Sequence, residues 1–596
     1  MVMEPLKFYE DCGEEKHRQN ISDFLGAMIS EAGVDADENR RTVAEHGKKV
    51  KAIEKMGSRL GWWKLLRGLC ILLTAGCILI AVASVSEYAS IGPAAIPVIA
   101  VGLAASVGFI LLIVKVLSPK IKGMKGSIDA LEAEAQRLLS DAEAQMAPLN
   151  SLFDDTDTFR LIEKTVPGFE FNKDYSVKMQ EEFIRKNDFC DVMGSGSSVT
   201  DTVSGHYKGN PFLYGRYLTC RMGSKTYYGE MTITWVERVT ASDGKIQVEH
   251  RQQTLRASVR KPIPLYSRKT YLYYGCQGAP NLSFSREPQH SERSSNAAIS
   301  GKVKSGERML RKKEKRALKR GESFTALSNS EFEVLFGAND RDKEVEFRMM
   351  YTPLAQINTV KLLRSRVGYG DDFSFTKRGR MNVICSEHSQ KWDMDTSASR
   401  YYSHDIDKTV QAFTEHNVKF FKSLFFDFAP LLSVPLYQQR PVRSLEPPRL
   451  YPSNYTAYEY EVLANSLSPS LFAHPDAATD SILKATCISK GDRLDGVKVT
   501  ASSFRKVERV DYVSVYGNDG NYHNVPVRWI DYIPVTKETL MGVRELGLNQ
   551  RDFGRRLRAN SDFNNNRLRA RGTYIHGLLG YVPGSSESLS TLNEII

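Results

Sequence analysis

Two stretches break the ordinary mixing of apolar and polar positions along this chain. Gly68 to Ser86 (GLCILLTAGCILIAVASVS) runs 19 residues without a charge. Ile96 to Leu117 (IPVIAVGLAASVGFILLIVKVL) runs 22 residues with one charge, Lys115, near its end. At about 1.5 Å per residue, each helix would measure about 30 Å, the thickness of a hydrocarbon core. The connector, Glu87 to Ala95, is short and holds Gly92 and Pro93. Lipid offers no partners for backbone polar groups, so the pattern predicts a transmembrane helical hairpin. A signal peptide fits poorly, because a long polar segment precedes the first run.

The flanking periodicity extends this picture. Ile121, Met124, Ile128, Leu131, Ala135, Leu138 and Ala142 recur at alternating spacings of 3 and 4, a heptad. Val43, Val50, Ile53 and Leu60 form a weaker seam before the first run, with His46 and Gly57 at the intervening places. Both helices are therefore expected to continue out of the bilayer and pair as an antiparallel coiled-coil stalk. The alternatives are an amphipathic helix lying on the membrane, which the acids Asp129, Glu132, Glu134, Asp141 and Glu143 oppose, and a seam that drives oligomerisation.

From about Leu152 the period changes. Met231, Ile233 and Trp235 alternate with threonines and predict a half-buried strand. The turn Ser242-Asp-Gly and a long run from Lys245 to Val259 follow. Phe332 to Phe336, the turn Asn339 to Asp342, and Val345, Phe347, Met349 and Tyr351 predict a hairpin. Phe373-Ser-Phe and Met381 to Cys385 predict another, around Lys377 to Arg380. Thr352-Pro353 is a cap followed by proline at the first helical position, opening a helix to about Leu363. Ile406, Val410, Phe413, Phe420 and Leu424 mark a second helical face. Leu424 to Tyr437 is strongly apolar but is broken by Asp427, Pro430 and Pro435, so core packing is preferred over a membrane-dipping segment. Nearer the C-terminus, Val510 to Tyr516, Gly517-Asn-Asp-Gly520 and Val525 to Val535 read as a hairpin, and Thr536 to Arg558 as a helix. No βαβ rhythm is present. The fold class expected is α+β: a membrane hairpin and stalk, then antiparallel-sheet-rich cytosolic domains.

Charge adds orientation. Lys48, Lys49, Lys51, Lys55, Arg59, Lys64 and Arg67 precede the first run, and Lys120, Lys122 and Lys125 follow the second. The connector has no Lys or Arg, so both flanks are expected in the cytoplasm, as are both termini of a multi-pass inner-membrane protein. Trp62 and Trp63 suit the inner interface. The domains expected are 1–35, an N-terminal cytosolic segment; 36–150, hairpin (spans about 68–86 and 96–117) and stalk; 151–287, β-rich; 288–325, a basic linker; 326–440, α+β; and 441–596, a C-terminal α+β region.

The chain has 596 residues and a net charge of +11. Lys302 to Arg320 holds ten basic residues and two glutamates, a net +8. Within it Arg308, Arg311, Lys312, Lys313, Lys315, Arg316, Lys319 and Arg320 are the candidate anionic-surface binders. A solvated helix is the plainest reading. Anionic lipid or an acidic protein comes next, and nucleic acid last, because few aromatics interleave the charges.

The chemistry scan is sparse. Eight Cys without a CxxC pair exclude a disulfide-rich scaffold and a zinc knuckle. No phosphate loop, HExxH or nucleophile elbow occurs. Met193-Gly-Ser-Gly-Ser-Ser reads as a loop and Asp552-Phe-Gly554 as coincidence. His388, His404 and His416 share a neighbourhood with Glu387, Asp405, Asp407 and Glu415, where surface positions are favoured over metal ligation. His474, His523 and His576 stand alone. No cofactor, metal or catalytic residue is assigned.

Ser330-Glu-Phe-Glu-Val-Leu-Phe336, Thr352-Pro-Leu-Ala-Gln356 and Asp427-Phe-Ala-Pro430, with the layout around them, resemble a class of uncharacterised bacterial membrane proteins. Those carry an N-terminal two-helix hairpin and a large cytosolic domain of unknown function. The resemblance covers mainly about 200–440 and implies a bacterial cell membrane. The function expected is a membrane-anchored, cytosol-facing scaffold or interaction protein of unknown specific role, expected to be oligomeric. A tethered enzyme with a dispersed site and an oligomeric channel or transporter subunit are the alternatives. The spans lack charges at membrane depth, which speaks against an ion path.

Overall fold

The computed structural model describes residues 3–86, 95–154, 156–171, 196–240, 246–321, 324–391, 395–439, 457–489, 494–545, 568–571 and 578–583. The connector after Ser86, the turn at 242–244, Asp552 to Gly554, His576, Arg555, Arg556, Arg558 and Arg567 lie outside them. The chain divides into two compact units. A helical unit comprises Ser22–Phe153 and Ala398–Glu415, and a sheet unit comprises Met1–Ile21, Asp154–Ser397 and His416–Ile596.

After α1 (Glu14–Ala32), two long helical runs dominate the helical unit. They are α2 (Ala36–Ser86) and, in succession, α3 (Ala95–Leu112), a π-type turn at Ile113–Leu117 and α4 (Ser118–Asn150). The two runs are antiparallel. Asn39 Nδ2 donates to Gln145 Oε1 at 3.2 Å, Lys49 meets Glu134 at 2.7 Å, and Lys120 Nζ lies 4.3 Å over the Trp63 ring. Ile121, Ile128, Ala135 and Ala142 are buried, as the heptad predicts. The opposing seam differs by a residue from expectation: Ile53, Met56, Leu60 and Trp63 pack with Ile121 and Ile128, while Gly57 is exposed. The seam continues through buried Cys70 and Thr74 on α2 and Ser106 on α3. Between Ile113 and Ile121 the inward positions are spaced 4 and 4 rather than 3 and 4. The π-type turn absorbs that extra residue and keeps the face aligned.

Past the helical unit, the sheet unit continues with α5 (Asp157–Thr165) and holds two antiparallel sheets. The larger contains β1 (Phe169–Phe171), β2 (Ser197–Tyr207), β3 (Asn210–Thr240), β4 (Ile246–Gly275), β5 (Ser283–Arg286), β6 (Phe373–Arg378) and β7 (Met381–Ser386), in the order β1-β2-β3-β4-β7-β6-β5 among the described residues. Helices α6 (Asn296–Arg320), α7 (Ser330–Phe336), α8 (Glu344–Met350) and α9 (Pro353–Arg364) separate β5 from β6, and α10 (Glu387–Gln390) and α11 (Ile406–Leu432) follow β7. After α12 (Ala457–Ser466) comes the second sheet: β8 (Ile482–Ser489), β9 (Asp495–Tyr516), β10 (Tyr522–Glu545), β11 (Leu568–Arg571) and β12 (Leu578–Tyr581), ordered β11-β12-β10-β9-β8.

Two hairpins outgrow their sheets. β3 and β4 pair from Phe212↔Tyr274 to Thr240↔Ile246, and β9 and β10 from Asp495↔Val543 to Tyr516↔Tyr522. The turn expected at Gly517 to Gly520 is present, with Gly520 at φ +82°. The hairpins pack through Ile233, Leu255 and Ala257 against Val525 and Val527. Gly229 allows the closest approach, since a Cβ there would lie 2.1 Å from the Pro526 carbonyl oxygen. Pro262 and Pro264 on β4 and Pro526 and Pro534 on β10 carry no N–H where the ribbons run unpaired outward, which discourages edge-to-edge addition.

Two expected elements are corrected. Phe332 to Tyr351 is not a hairpin but the helices α7 and α8. The buried residues are Phe332, Leu335 and Phe336, then Phe347, Met350 and Tyr351, a helical spacing, whereas Val345 and Met349 are exposed. Asn329 caps α7 by accepting from Phe332 N, and Gly337 closes it at φ +72°. Thr536 to Glu545 is the end of β10 rather than a helix, held by β9 from Thr536↔Ser502 to Val543↔Asp495. Three local expectations hold: α9 opens with Thr352 accepting from Ala355 N, β6 and β7 turn at Gly379, and Leu424 to Leu432 is core.

Candidate functional site

The apolar parts of α2 and α3 leave their large side chains outward. Leu72, Leu79, Val101 and Val107 are all more than half exposed. The helical runs over Ala36–Ile80 and Leu103–Asn150 are long and apolar enough to cross a membrane, and only 11 % and 17 % of their apolar windows is buried. At the polar end of this belt Trp62 is exposed beside Lys64, and Trp63 lies under Lys120.

The basic segment is the helix α6. Ser295 caps it by accepting from Ala298 N, and Gly321 ends it at φ +69°. Ile299, Gly306, Leu310 and Ala317 face the core, and a Cβ on Gly306 would lie 2.4 Å from Val334 Cγ2. Of the eight candidate residues, Arg308, Arg311, Lys312, Lys315, Arg316, Lys319 and Arg320 are exposed. Lys313 stands apart, half buried, its Nζ over the Phe324 ring and donating to the Asn339 carbonyl. Burial, together with the Arg341 charge, pulls the Lys313 ammonium below its ordinary pKa.

Arg341 escaped the sequence reading. Its Nη1 donates to Glu333 Oε2 at 2.8 Å and its Nη2 to Glu333 Oε1 at 2.9 Å, while its Nε donates to Glu344 Oε1 at 2.8 Å. Its guanidinium lies 4.7 Å from the Phe324 ring centre and 4.3 Å from that of Phe347. This buried ion set joins α7, α8 and the segment after α6. Glu333 lies in the Ser330–Phe336 phrase, so that phrase records a buried anchor.

The histidine neighbourhood does not converge. His404 belongs to the helical unit, where its carbonyl accepts from Asn39 Nδ2. Asp407 pairs with Arg40, Glu415 accepts from Gln411, and Glu387 meets His290. Among the described residues no group of three or more His, Cys, Asp or Glu is arranged to hold a metal ion. Contrary to the surface positions expected, the His388 side chain is only 7 % exposed in the sheet unit, and His416 is buried as well. Its Nδ1 is 2.7 Å from Asp372 Oδ2, and its Nε2 is 3.1 Å from the Ser423 carbonyl and 3.6 Å from Asp427 Oδ1. The Ser423 carbonyl can only accept, so Nε2 donates to it, and an ionised Asp372 carboxylate favours a proton on Nδ1 as well. Burial alone would lower its pKa, but the Asp427 and Asp372 carboxylates hold it above the ordinary value. Tyr369 stacks on the ring at 3.7 Å, and Tyr214 donates to Asp427 Oδ2 at 2.6 Å. Burial leaves the Asp427 carboxyl above its ordinary pKa despite the His388 charge. The cluster ties α10, α11 and β3 together.

A polar cleft of about 370 Å³ lies at the start of α6. Its charged walls are mutually engaged: Arg364 binds Glu331 and Asn296, and Arg366 Nε donates to the Glu292 carbonyl. No family model matches the chain, and no curated protein or solved structure matches it either.

Proposed function

We propose that this chain is a membrane-anchored platform, a scaffold or interaction protein with its sheet unit in the cytosol of a bacterial cell. The observation that carries the reading is the outward-facing apolar belt. A buried helix of a soluble core hides its large side chains, whereas α2 and α3 keep most of theirs exposed along apolar windows long enough to span a bilayer. The belt begins where Lys64, Arg67 and Lys120 flank the tryptophans, and its far connector carries no cation. By charge bias both flanks lie on the cytoplasmic side, which puts both termini there. The continuing seam from Asn39 to Thr74 supports a coiled-coil stalk leading out of the membrane.

Fractionation tests this reading. The intact protein should stay with the membrane pellet after alkaline carbonate washing, and protease added to whole cells should leave the sheet unit uncut. A protein that remains in the high-speed supernatant, or a sheet unit shaved from outside, overturns the anchor or its orientation. Turnover of a metabolite by the purified protein overturns the non-enzymatic role.

A further inference from the structure

Helix α6 carries its positive charge on one side. At about 100° per residue, Lys304, Arg308, Arg311, Lys315 and Lys319 fall along one stripe, with Lys312 and Arg316 beside it. All seven are exposed, and the stripe points away from the buried Ile299, Gly306, Leu310 and Ala317. From Lys304 to Lys319 it runs about 22 Å in a straight line. Glu307 and Glu314 sit half buried toward the core side, and no described acidic side chain pairs with any of the seven. Like charges one turn apart repel, so the stripe is a counter-charge awaiting its partner. Met309 and Leu318 border it, one on each side, 70 % and 81 % exposed.

We propose that this face docks on an anionic bilayer surface. The proposal rests on the membrane-anchor reading, because a chain fixed in a bilayer holds lipid headgroups at high local concentration. Three features select lipid. The stripe is straight and lies on a helix whose back is locked into the core at Gly306, so it meets a flat sheet of charge without inserting. Its bordering side chains are a methionine and a leucine, which suit the apolar side of the headgroup layer. It exposes no aromatic ring for base stacking, which single-stranded nucleic acid would use.

The test uses the full chain reconstituted into vesicles, with amine acylation resolved residue by residue. The variant R308Q/R311Q/K312Q/K315Q/R316Q keeps Lys304 and Lys319 as reporters. In vesicles with roughly 30 % phosphatidylglycerol, wild-type Lys304 and Lys319 should label about five- to tenfold less than in pure phosphatidylcholine. The protection should vanish at about 0.5 M salt and in the variant. Lys225 and Lys506, exposed on the two ribbons, should label alike in both lipids. Equal labelling of the reporters while the protein floats with the vesicles overturns the docking proposal and leaves the anchor standing. Failure of the wild-type protein to float overturns the anchor, and the proposal with it. Protection by an added oligonucleotide in phosphatidylcholine, with no effect of anionic lipid, overturns lipid docking in favour of nucleic acid.

Discussion

Along the apolar parts of α2 and α3 most leucines and valines face out, whereas in the core of the sheet unit the same residue types face in. Leu72 and Leu79 are about 70 % exposed, while Val525, Val527 and Phe428 are fully buried. Both regions are apolar, but only one has used its apolar surface to fold. The sheet unit closes on itself through two faces of a hairpin stack and an aromatic core. The helix pair closes through a narrow seam that includes small or polar residues, Cys70, Thr74 and Ser106, and leaves the rest unspent. Helices that pack through small residues and present bulky ones outward match the packing logic of a lipid environment, where apolar surface need not be hidden.

The largest effect should come from charging the outward face. Leu72→Lys with Leu79→Lys places two ammonium groups in the first apolar run. Each costs about 2.5–3.5 kcal/mol at the centre of a span. The double variant should leave the membrane fraction. In water, substitutions at exposed positions usually stay within about 0.5 kcal/mol, so unchanged partitioning would dissolve the contrast between the two regions. Phe428→Ala probes the opposite region. Phe428 is ringed by Phe169 at 4.8 Å, Phe212 at 5.0 Å and Tyr274 at 6.5 Å. Its truncation should cost about 3–5 kcal/mol in urea unfolding of the detergent-solubilised protein, with membrane partitioning intact.

A third prediction concerns protons inside the sheet unit. His17 is buried and stacked on Phe421 at 4.2 Å. Its Nε2 donates to the Asn417 carbonyl at 3.2 Å, and its Nδ1 faces the Thr165 hydroxyl at 2.8 Å. No carboxylate pairs with it in this set, and burial pulls its pKa down to about 4. Between about 4 and about 6.5 the unfolded chain therefore binds more protons, so stability rises with pH there and is lost on acidification. The expected loss is roughly 3 kcal/mol across the window. His388 has its pKa raised, so its contribution is full below about 6.5 and is lost as pH rises through its folded value. Urea midpoints at several pH values should show His17→Gln flattening the acid limb and His388→Gln the alkaline limb. A wild-type acid limb that survives His17→Gln unchanged sinks the assignment.

What the residues announce and what they hide follows from how local the physics is. The apolar runs, the Thr352-Pro353 cap, the Gly517–Gly520 turn and the Ile121–Ala142 heptad were legible because each is decided within a few residues. Phe332 to Tyr351 was misread because short apolar runs fit a period of two as well as one of 3.6; Asn329 and Gly337, a helix cap pair, were the signal that separates them. Thr536 to Glu545 is rich in helix formers, and only the register with β9 overrides that preference. The His388 cluster was half legible: His388 was singled out, but Asp372 and Asp427 reach it from other elements, and nothing local pairs them. The cationic stripe on α6 was legible as charge, whereas the turning of Lys313 toward Phe324 was not.

The smallest effect marks where the two kinds of surface meet. Lys49 and Glu134 join α2 and α4 at 2.7 Å, about one-third and one-half exposed. If water bathes this stretch, the pair is worth about 0.2–1 kcal/mol and weakens with salt. A double-mutant cycle of Lys49→Ala and Glu134→Ala on the reconstituted protein, repeated at low and high salt, should return a coupling in that range that shrinks as salt rises. A coupling of several kcal/mol, indifferent to salt, would mean that the pair lies in a low-dielectric layer. The apolar zone would then extend well past Trp63, and the polar half of the helix pair could not be a stalk in water.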